Sequence, residues 1–399
     1  MILSRRRNCW SFRWSVNPRQ LEKAWRALWM RAIARSLPGP RTVPPAWKAS
    51  GRRTLFVRYE RIGDMIMATG LIRVLAQAVA GHRVDVLANA STAPVLEGNP
   101  HVGRVFTIDR KSWSSYLTVG RQLRAQGYEV IVDGRINNPP IFTSTPLLML
   151  ASRAPFRIGV EGGNNDLIYN VRVRAYDRST PYIEGSRSLA VPFGTDIDSV
   201  DWQPEIFLSV TERDAARVQW RAAARAGRKA MPDSDERRDQ REGGGGKASS
   251  NAKRLLVNLS ASEPKRRWPD DRFLEVLRYV RATYPQMPIV VIGLPREWES
   301  VQRVAALVNA HPVATPLLRE ALALVGTSDV VFTPDTSISH AASAFRKPSV
   351  VLLKRDHHPY APYNIPGEVV FWDGNEIDSL PSNKVVSAVL GLVKNETQK

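Results

Sequence analysis

The stretch SDVVFTPDTSISHAASAFRKPSVVLL, residues 328–353, holds the fold in miniature. A β-rich run over Asp329–Phe332 stops at the polar turn Thr333-Pro334-Asp335-Thr336. A helical period follows from Ser337 to Phe345, and Ser349–Leu353 is a strand again. A strand, a short turn, a helix and another strand make one unit of a parallel sheet whose faces are covered by helices. Working outward from it, the same alternation fills most of the chain. Its own half holds strands over Leu255–Asn258 and Pro288–Ile292 and helices over Asp270–Thr283, Glu297–Asn309 and Leu317–Gly326. An earlier series has strands over Thr54–Tyr59, Val84–Ala88, Arg104–Ile108, Val130–Asp133 and Phe156–Val160, with helices over Asp64–Ala80, Tyr116–Gln126 and Pro140–Ser152. The fold class is therefore α/β, in two doubly wound halves of similar size that face a cleft, with ligands bound outside the carboxyl ends of the strands.

Between the halves, the run Pro204–Val210 closes the first series and Thr211–Arg228 is an Ala/Arg-rich helix. The segment MPDSDERRDQREGGGGKASSNAK, residues 231–253, has four consecutive glycines and almost nothing apolar, so it is expected to be a disordered insert without chemistry. The domain reading is an extension over 1–50, a first domain over 51–210, a linker helix and insert over 211–253, and a second domain over 254–399. A last helix, Ser382–Val393, is expected to return across the hinge.

The formal charge of +19 points to an anionic partner only if it belongs to the folded bodies. Residues 1–53 hold 13 Lys and Arg against one acid, Glu22, and Glu212–Arg254 holds 12 against 7. Those two stretches account for +12 and +5 and leave +2 for everything else, which argues against a nucleic-acid groove in the core. The single cysteine, Cys9, excludes an intramolecular disulfide and a zinc-ligand cysteine cluster. No apolar run reaches the roughly 18 residues of a membrane span, and MILSRRRNCWSFRW has no secretory h-region, so a cytoplasmic location is expected.

Five of the eleven tryptophans fall in the first 50 residues, among arginines. On a helix over Gln20–Leu37, Leu21, Trp25, Leu28, Trp29, Ala32 and Ile33 share one side, with Lys23, Arg26, Arg31 and Arg35 around it. Two readings stand. The helix lies in the interface of an anionic membrane, or it packs its tryptophans on the body of the protein. Pro38, Pro40, Pro44 and Pro45 end it.

Three turns carry candidate chemistry. In RYERIGDMIMATGLIRVL, residues 58–75, Asp64 stands where the first strand gives way to a helix, placed to act as a general base or merely to complement the helix dipole. In the turn from Asp335 to His340, free backbone N–H groups at the helix start and the hydroxyls of Thr336, Ser337 and Ser339 suit a diphosphate, with His340 one turn in; a plain helix cap is the other reading. In VNLSASEPKRRWPDDRF, residues 257–273, Lys265, Arg266 and Arg267 precede a Trp-Pro helix start and suit a departing diphosphate, or form a solvated basic loop. His357 and His358, followed by Pro359, favour a loop near the nucleotide over a metal site.

In this order and at these distances, the three elements resemble the glycosyltransferase family that contains the ADP-heptose:lipopolysaccharide heptosyltransferases. YEVIVDGR (128–135) and APFRIGV (154–160) sit where that family has comparable strands. The resemblance implies a GT-B fold of two Rossmann-like domains. It also implies inverting, metal-independent transfer of a heptose-type sugar from an ADP-sugar to a lipopolysaccharide-core-like or other glycolipid acceptor, with no cofactor beyond the donor substrate. Asp64 takes the role of general base. Asp335, Thr336 and His340 map to donor-phosphate binding, with Ser337 where the family usually has Gly. Arg266, with Lys265 beside it, replaces the Lys that neutralises the leaving diphosphate. Glu297, with Glu299 as the alternative, maps to an acid that contacts the donor nucleoside or sugar. SASEP replaces a Pro-Gly-Ala type of turn. An acceptor at the inner face of the cytoplasmic membrane would suit peripheral contact through the Trp/Arg-rich residues 1–50, and the charge distribution leaves no nucleic-acid partner expected. Two rivals stand beside this reading: a transferase of the same fold using another nucleotide sugar, and a non-catalytic nucleotide- or sugar-binding module, motivated by Ser337 and Arg266.

Overall fold

Runs of buried β-branched residues build two sheets. The structure, a computed structural model, describes residues 18–41, 43–44, 46–136, 145–162, 166–177, 179–228 and 253–395. Among the described residues, β1 (Thr54–Val57), β2 (Val84–Ala88), β3 (Val102–Thr107), β4 (Val130–Asp133), β5 (Phe156–Val160) and β6 (Val171–Val173) form one six-stranded sheet in the order β3-β2-β1-β4-β5-β6. A second is formed by β7 (Leu255–Asn258), β8 (Ile289–Ile292), β9 (His311–Pro312), β10 (Val330–Pro334), β11 (Ser349–Lys354) and β12 (Gly367–Trp372), in the order β12-β11-β10-β7-β8-β9. Neighbouring strands pair in parallel throughout. Each order is the 3-2-1-4-5-6 winding of a dinucleotide-binding sheet, whose direction reverses between its first and fourth strands. The reversal falls between β1 and β4 in one half and between β7 and β10 in the other. Turns leaving those strands are where a ligand fits.

Between the strands run α1 (Pro18–Ser36), α2 (Ile62–Ala78), α3 (Trp113–Gln126), α4 (Thr145–Ser152), α5 (Tyr182–Ser186), α6 (Val210–Arg228), α7 (Asp270–Thr283), α8 (Trp298–Leu307), α9 (Leu318–Thr327), α10 (Ser337–Ala344) and α11 (Ser382–Asn395). Sequence periodicity placed most of these to within a few residues, and it missed β6, β9 and β12. The expected start of a helix at Pro140 lies outside the described residues, as does nearly all of the glycine-rich insert, residues 231–252. Pro204–Leu208 forms no strand. It runs as a mostly buried extended segment on α2, where Gly70 is required: a Cβ there would meet the Trp202 carbonyl oxygen at 2.5 Å.

Two expectations about the hinge are corrected. The last helix, α11, packs in the C-terminal core, with Val385, Val389 and Val393 buried against the side of the sheet covered by α7. The helix expected to be a linker, α6, is amphipathic and lays Ala216, Trp220 and Ala223 on α9 and β8. Its buried stripe needs an apolar face, which the second sheet supplies.

The halves also touch directly. Helix α10 packs on α2, and one hydrophobic cluster runs from Met65 and Ile66 to Ile338, Ala341 and Ala342. The Gln203 amide donates to the Ser343 carbonyl at 2.6 Å, and Tyr182 stacks with Tyr360 at 6.0 Å. Arg319 on α9 ties three segments: it binds both oxygens of Glu212 at 2.6 and 2.7 Å and donates to the carbonyls of Phe207 and Pro94. Those bonds from Arg319 hold the Glu212 carboxyl down at about 2, from an ordinary 4.5. A depressed acid stabilises the fold above its unfolded value and loses that contribution as pH falls through the folded one. The stability difference between the native chain and Glu212→Gln is thus expected to be about 1–2 kcal/mol above pH 5 and to vanish toward pH 2, read by denaturant midpoints across that range.

Helix α1 bears on the second of the two readings of its tryptophans. It carries two apolar stripes, each at i, i+3, i+4 and i+7. Met30, Ile33, Ala34 and Leu37 make one and bury against α4; Trp25, Leu28, Trp29 and Ala32 make the other and stay exposed. The tryptophan side therefore does not pack on the body.

Candidate active site at the two reversal points

Arg58 follows β1 and is almost fully buried, an arginine where the strand ends rather than on the surface. Its guanidinium donates to the Gly134 carbonyl beyond β4 at 3.0 Å, so it stitches the reversal point. The same group pairs with Asp64 at 3.1 Å and with Glu60 at 3.6 Å, and lies over the Tyr182 ring. Burial works against its charge, but Tyr182, Asp64, Glu60 and Asp133 outweigh it and raise its pKa above the ordinary guanidinium value. Asp64 thus sits in the first turn of α2 with one oxygen held and the other without a partner among the described residues. A second carboxylate, Asp133 at the end of β4, is wholly buried and already engaged by Arg135 and by the Tyr169 hydroxyl at 2.6 Å. Burial alone would raise its pKa; Arg135 and these bonds keep it low.

At the other reversal point, Asn258 at the end of β7 donates to Thr333 at 3.0 Å and to Thr336 at 3.2 Å. Thr336 caps α10, its hydroxyl accepting from the Ile338 N–H at 3.2 Å. The three hydroxyls expected at a diphosphate divide. Thr336 is spent on the cap, and Ser339 is buried and donates to the Thr336 carbonyl at 2.7 Å. Ser337 keeps its side chain free among the described residues, at the first helical position. The N–H groups of Ile338 and Ser339 are both bonded to Thr336, which leaves the Ser337 N–H, among the described residues, to face an anion.

Of the three adjacent cations only one turns to this site. Arg266, 15% exposed, reaches Asp335 at 3.5 Å and Glu263 at 3.3 Å. Lys265, 58% exposed, pairs with Glu263 at 3.2 Å, and Arg267 bonds Asp270. Behind the loop, Trp268 is wholly buried against Phe273 and Phe332 and anchors it. Lys265, then Arg266 and Arg61, hold the exposed Glu263 carboxyl below its usual range. Arg61 belongs to the Asp64 loop, so the two turns are close enough to feel each other across the cleft.

His340 makes that proximity explicit. A Cβ on Gly63 would meet its ring at 2.6 Å, so the glycine beside Asp64 is needed for the approach of α10. Burial pushes His340 below the ordinary imidazole pKa, against the pull of Asp335 and Asp64. His357 joins the group, with Nδ1 3.1 Å from Asp335 and Nε2 3.5 Å from Arg266. Glu297 lies behind the cation loop, bonded to the Ser260 hydroxyl and 3.6 Å from Arg267, while Glu299 is exposed.

Sequence reasoning missed Arg58, Glu263 and Asn258 as site residues. The signal for Arg58 was available, a charge at the end of an apolar strand; Glu263 and Asn258 gave none, because their roles depend on loops brought together by the second sheet. Among the described residues, no group of three or more His, Asp or Glu is placed to hold a metal ion. A groove of about 650 Å³ between β3 and α3 lies at the sheet edge, two strands from β1, and none of these residues lines it.

The chain and its fold are similar to those of known proteins. The chain is 21% identical over 332 residues to the lipopolysaccharide core heptosyltransferase OpsX of Haemophilus influenzae, covering 80% of this chain and 84% of that protein. Its fold matches the glycosyl transferase family 9 structure from Veillonella parvula with a TM-score of 0.68 at 16% identity, over 89% of this chain and 100% of that one. Against the Escherichia coli ADP-heptose LPS heptosyltransferase II the TM-score is 0.61 at 17% identity, over 86% and 99%. Such likenesses establish a GT-B glycosyltransferase fold. The model of glycosyltransferase family 9 (heptosyltransferase) matches residues 116–373, well over half the chain and including the cation loop and the Asp335–His340 turn. With that match on two facing Rossmann-like halves, the chain belongs to glycosyltransferase family 9, the heptosyltransferases, and its activity is glycosyl transfer.

Proposed function

We propose that the protein transfers a heptose-type sugar from an ADP-linked donor to a lipopolysaccharide-core-like glycolipid, with inversion at the anomeric carbon and without a metal. The observation that carries this reading is the meeting of two reversal points. A carboxylate with one free oxygen, Asp64, faces a helix start flanked by Arg266, Asp335 and His340. The acceptor oxygen attacks the anomeric carbon from the Asp64 side and its proton passes to the free carboxylate oxygen. The bond to the diphosphate breaks as the new glycosidic bond forms, and the charge that gathers on the leaving oxygen is met by Arg266 and the Ser337 N–H. Asp335 and His357 hold Arg266 in place, and Glu297 orders the loop behind it through Ser260 and Arg267. Fixed cations at the diphosphate take the part a metal would otherwise play. The E. coli heptosyltransferase WaaC, solved with ADP, shares the fold at a TM-score of 0.61, which supports a nucleotide at the donor turn. The acceptor is lipid-linked, met at the inner face of the cytoplasmic membrane.

Isothermal titration with ADP, UDP and GDP tests the donor. Selective binding of ADP, weakened in Thr336→Ala, is expected, since that hydroxyl shapes the helix start. A preference for UDP or GDP sinks the ADP-heptose reading, and no binding to any of the three sinks the donor site itself.

A further inference from the structure

We infer that the outer layer formed by α1 and α3 is a docking face for an anionic lipid bilayer. Helices α3, α4 and α1 lie over one face of the N-terminal sheet with α4 between the others, since α4 packs against both. The face they turn away from the sheet keeps large apolar side chains in water: Trp25 at 62% exposure, Leu28 at 61%, Trp29 at 48%, Trp113 at 75% and Leu117 at 62%. Trp25 and Trp29 touch edge to face at 5.5 Å, and Trp113 lies against Tyr116 at 5.8 Å, so both helices present aromatic pairs. Scattered exposed leucines need no explanation, but three tryptophans on one layer do.

The occupant follows from charge. Arg31, Arg35, Arg121 and Arg124 are exposed on these two helices without a carboxylate partner among the described residues. The chain leading into and out of α1, residues 1–53, holds 13 Lys and Arg against one acid. Tryptophan, leucine and unpaired arginine on one helical surface match the headgroup region of an anionic membrane, where indoles lie at headgroup depth and each cation near the surface adds about 1 kcal/mol. A protein partner would favour a face with both signs of charge.

The orientation favours catalysis on a lipid-linked acceptor. Strand β3 ends at the cleft, so the first turns of α3, with Trp113 and Leu117, lie at the cleft end of the sheet. The last turn of α1 is fixed at the opposite end, where Arg157 at the start of β5 donates to the Pro38 carbonyl. Docking by this layer brings the mouth of the cleft to the bilayer. The face rests on none of the catalytic assignments, and its test does not read turnover alone.

Flotation of the full chain with vesicles of phosphatidylcholine, and of phosphatidylcholine with about one third phosphatidylglycerol, tests the face. Binding to the anionic vesicles is expected, weakening as salt rises, with a blue shift of tryptophan emission. The triple variant Trp25→Ser, Leu28→Ser, Trp29→Ser is expected to lose about tenfold or more in vesicle affinity, and Trp113→Ser with Leu117→Ser severalfold. Both variants should keep the thermal unfolding midpoint and ADP affinity of the native chain, because these side chains point away from the core. Equal binding to both vesicle types, unchanged binding by the triple variant, or a native dimer that the triple variant splits without any vesicle binding each overturns the proposal. The last outcome would make the face a contact between copies of the chain.

Discussion

Asp64→Asn is expected to lower kcat by about two to four orders of magnitude, the range a positioned general base contributes, while ADP affinity stays within about twofold. The substitution is close to isosteric. The amide oxygen still lies against the Arg58 guanidinium, at the place where the carboxylate oxygen lies 3.1 Å away, and Arg58 keeps Glu60 and the Gly134 carbonyl, so the loop has no reason to move. What disappears is the second, unpartnered oxygen, the only part of the group free to accept a proton. Steady-state turnover alongside nucleotide titration separates the outcomes. Loss of ADP affinity in step with kcat would mean that Asp64 shapes the donor side instead, and turnover within about threefold of native would remove it from the chemistry.

Arg266→Ala is expected to lower kcat by about 10²–10³-fold and to weaken ADP binding as well, because its guanidinium is the inward-facing cation of the loop. Lys265, mostly in solvent and paired with Glu263, cannot replace it from where it stands. Arg266→Lys keeps the positive charge, and most of the activity should return; the forked contacts to Asp335 and His357 go with the guanidinium, so some loss remains. Glu263 should act in the opposite sense. In the unliganded protein its carboxylate already occupies the cations a diphosphate needs, so Glu263→Gln is expected to raise ADP affinity by about two- to fivefold at low salt, an exposed ion pair being worth no more. An Arg266→Ala enzyme with near-native kcat would shift leaving-group stabilisation to the helix start alone.

These outcomes rest on residues of unequal legibility. The strands that line the reversal points were readable because both their faces are covered, which leaves an unbroken apolar run: Leu255–Asn258 and Val130–Asp133 emerge with the expected bounds. The edge strands were not. Strand β12 is half exposed, with Gly367 and Glu368 in water and Val370 and Trp372 inside, and β9 is two residues long. An edge strand with so mixed a pattern exists because a neighbour pairs with it, and pairing is a property of the sheet.

Helix α1 shows the same division on one element. Its sequence holds two apolar stripes of equal spacing, and nothing local to Pro18–Ser36 says which is buried. Contact with α4 decides for Met30 and Ile33 and leaves Trp25 and Trp29 outside.

By itself the sequence determined the α/β class, the alternation that makes two doubly wound halves, the strand-to-helix turns at Asp64 and Asp335, and the confinement of positive charge to residues 1–53 and the insert. All of these follow from local spacing and residue type, which a linear chain displays. Only the tertiary structure decided that Arg58 holds Asp64, that Arg266 rather than Lys265 faces Asp335, that Ser339 is spent inside its own helix, and that His340 lies against Gly63. Each is a contact between segments far apart in sequence, set by which sheet edge or helix face comes to meet it, and no local pattern encodes that meeting.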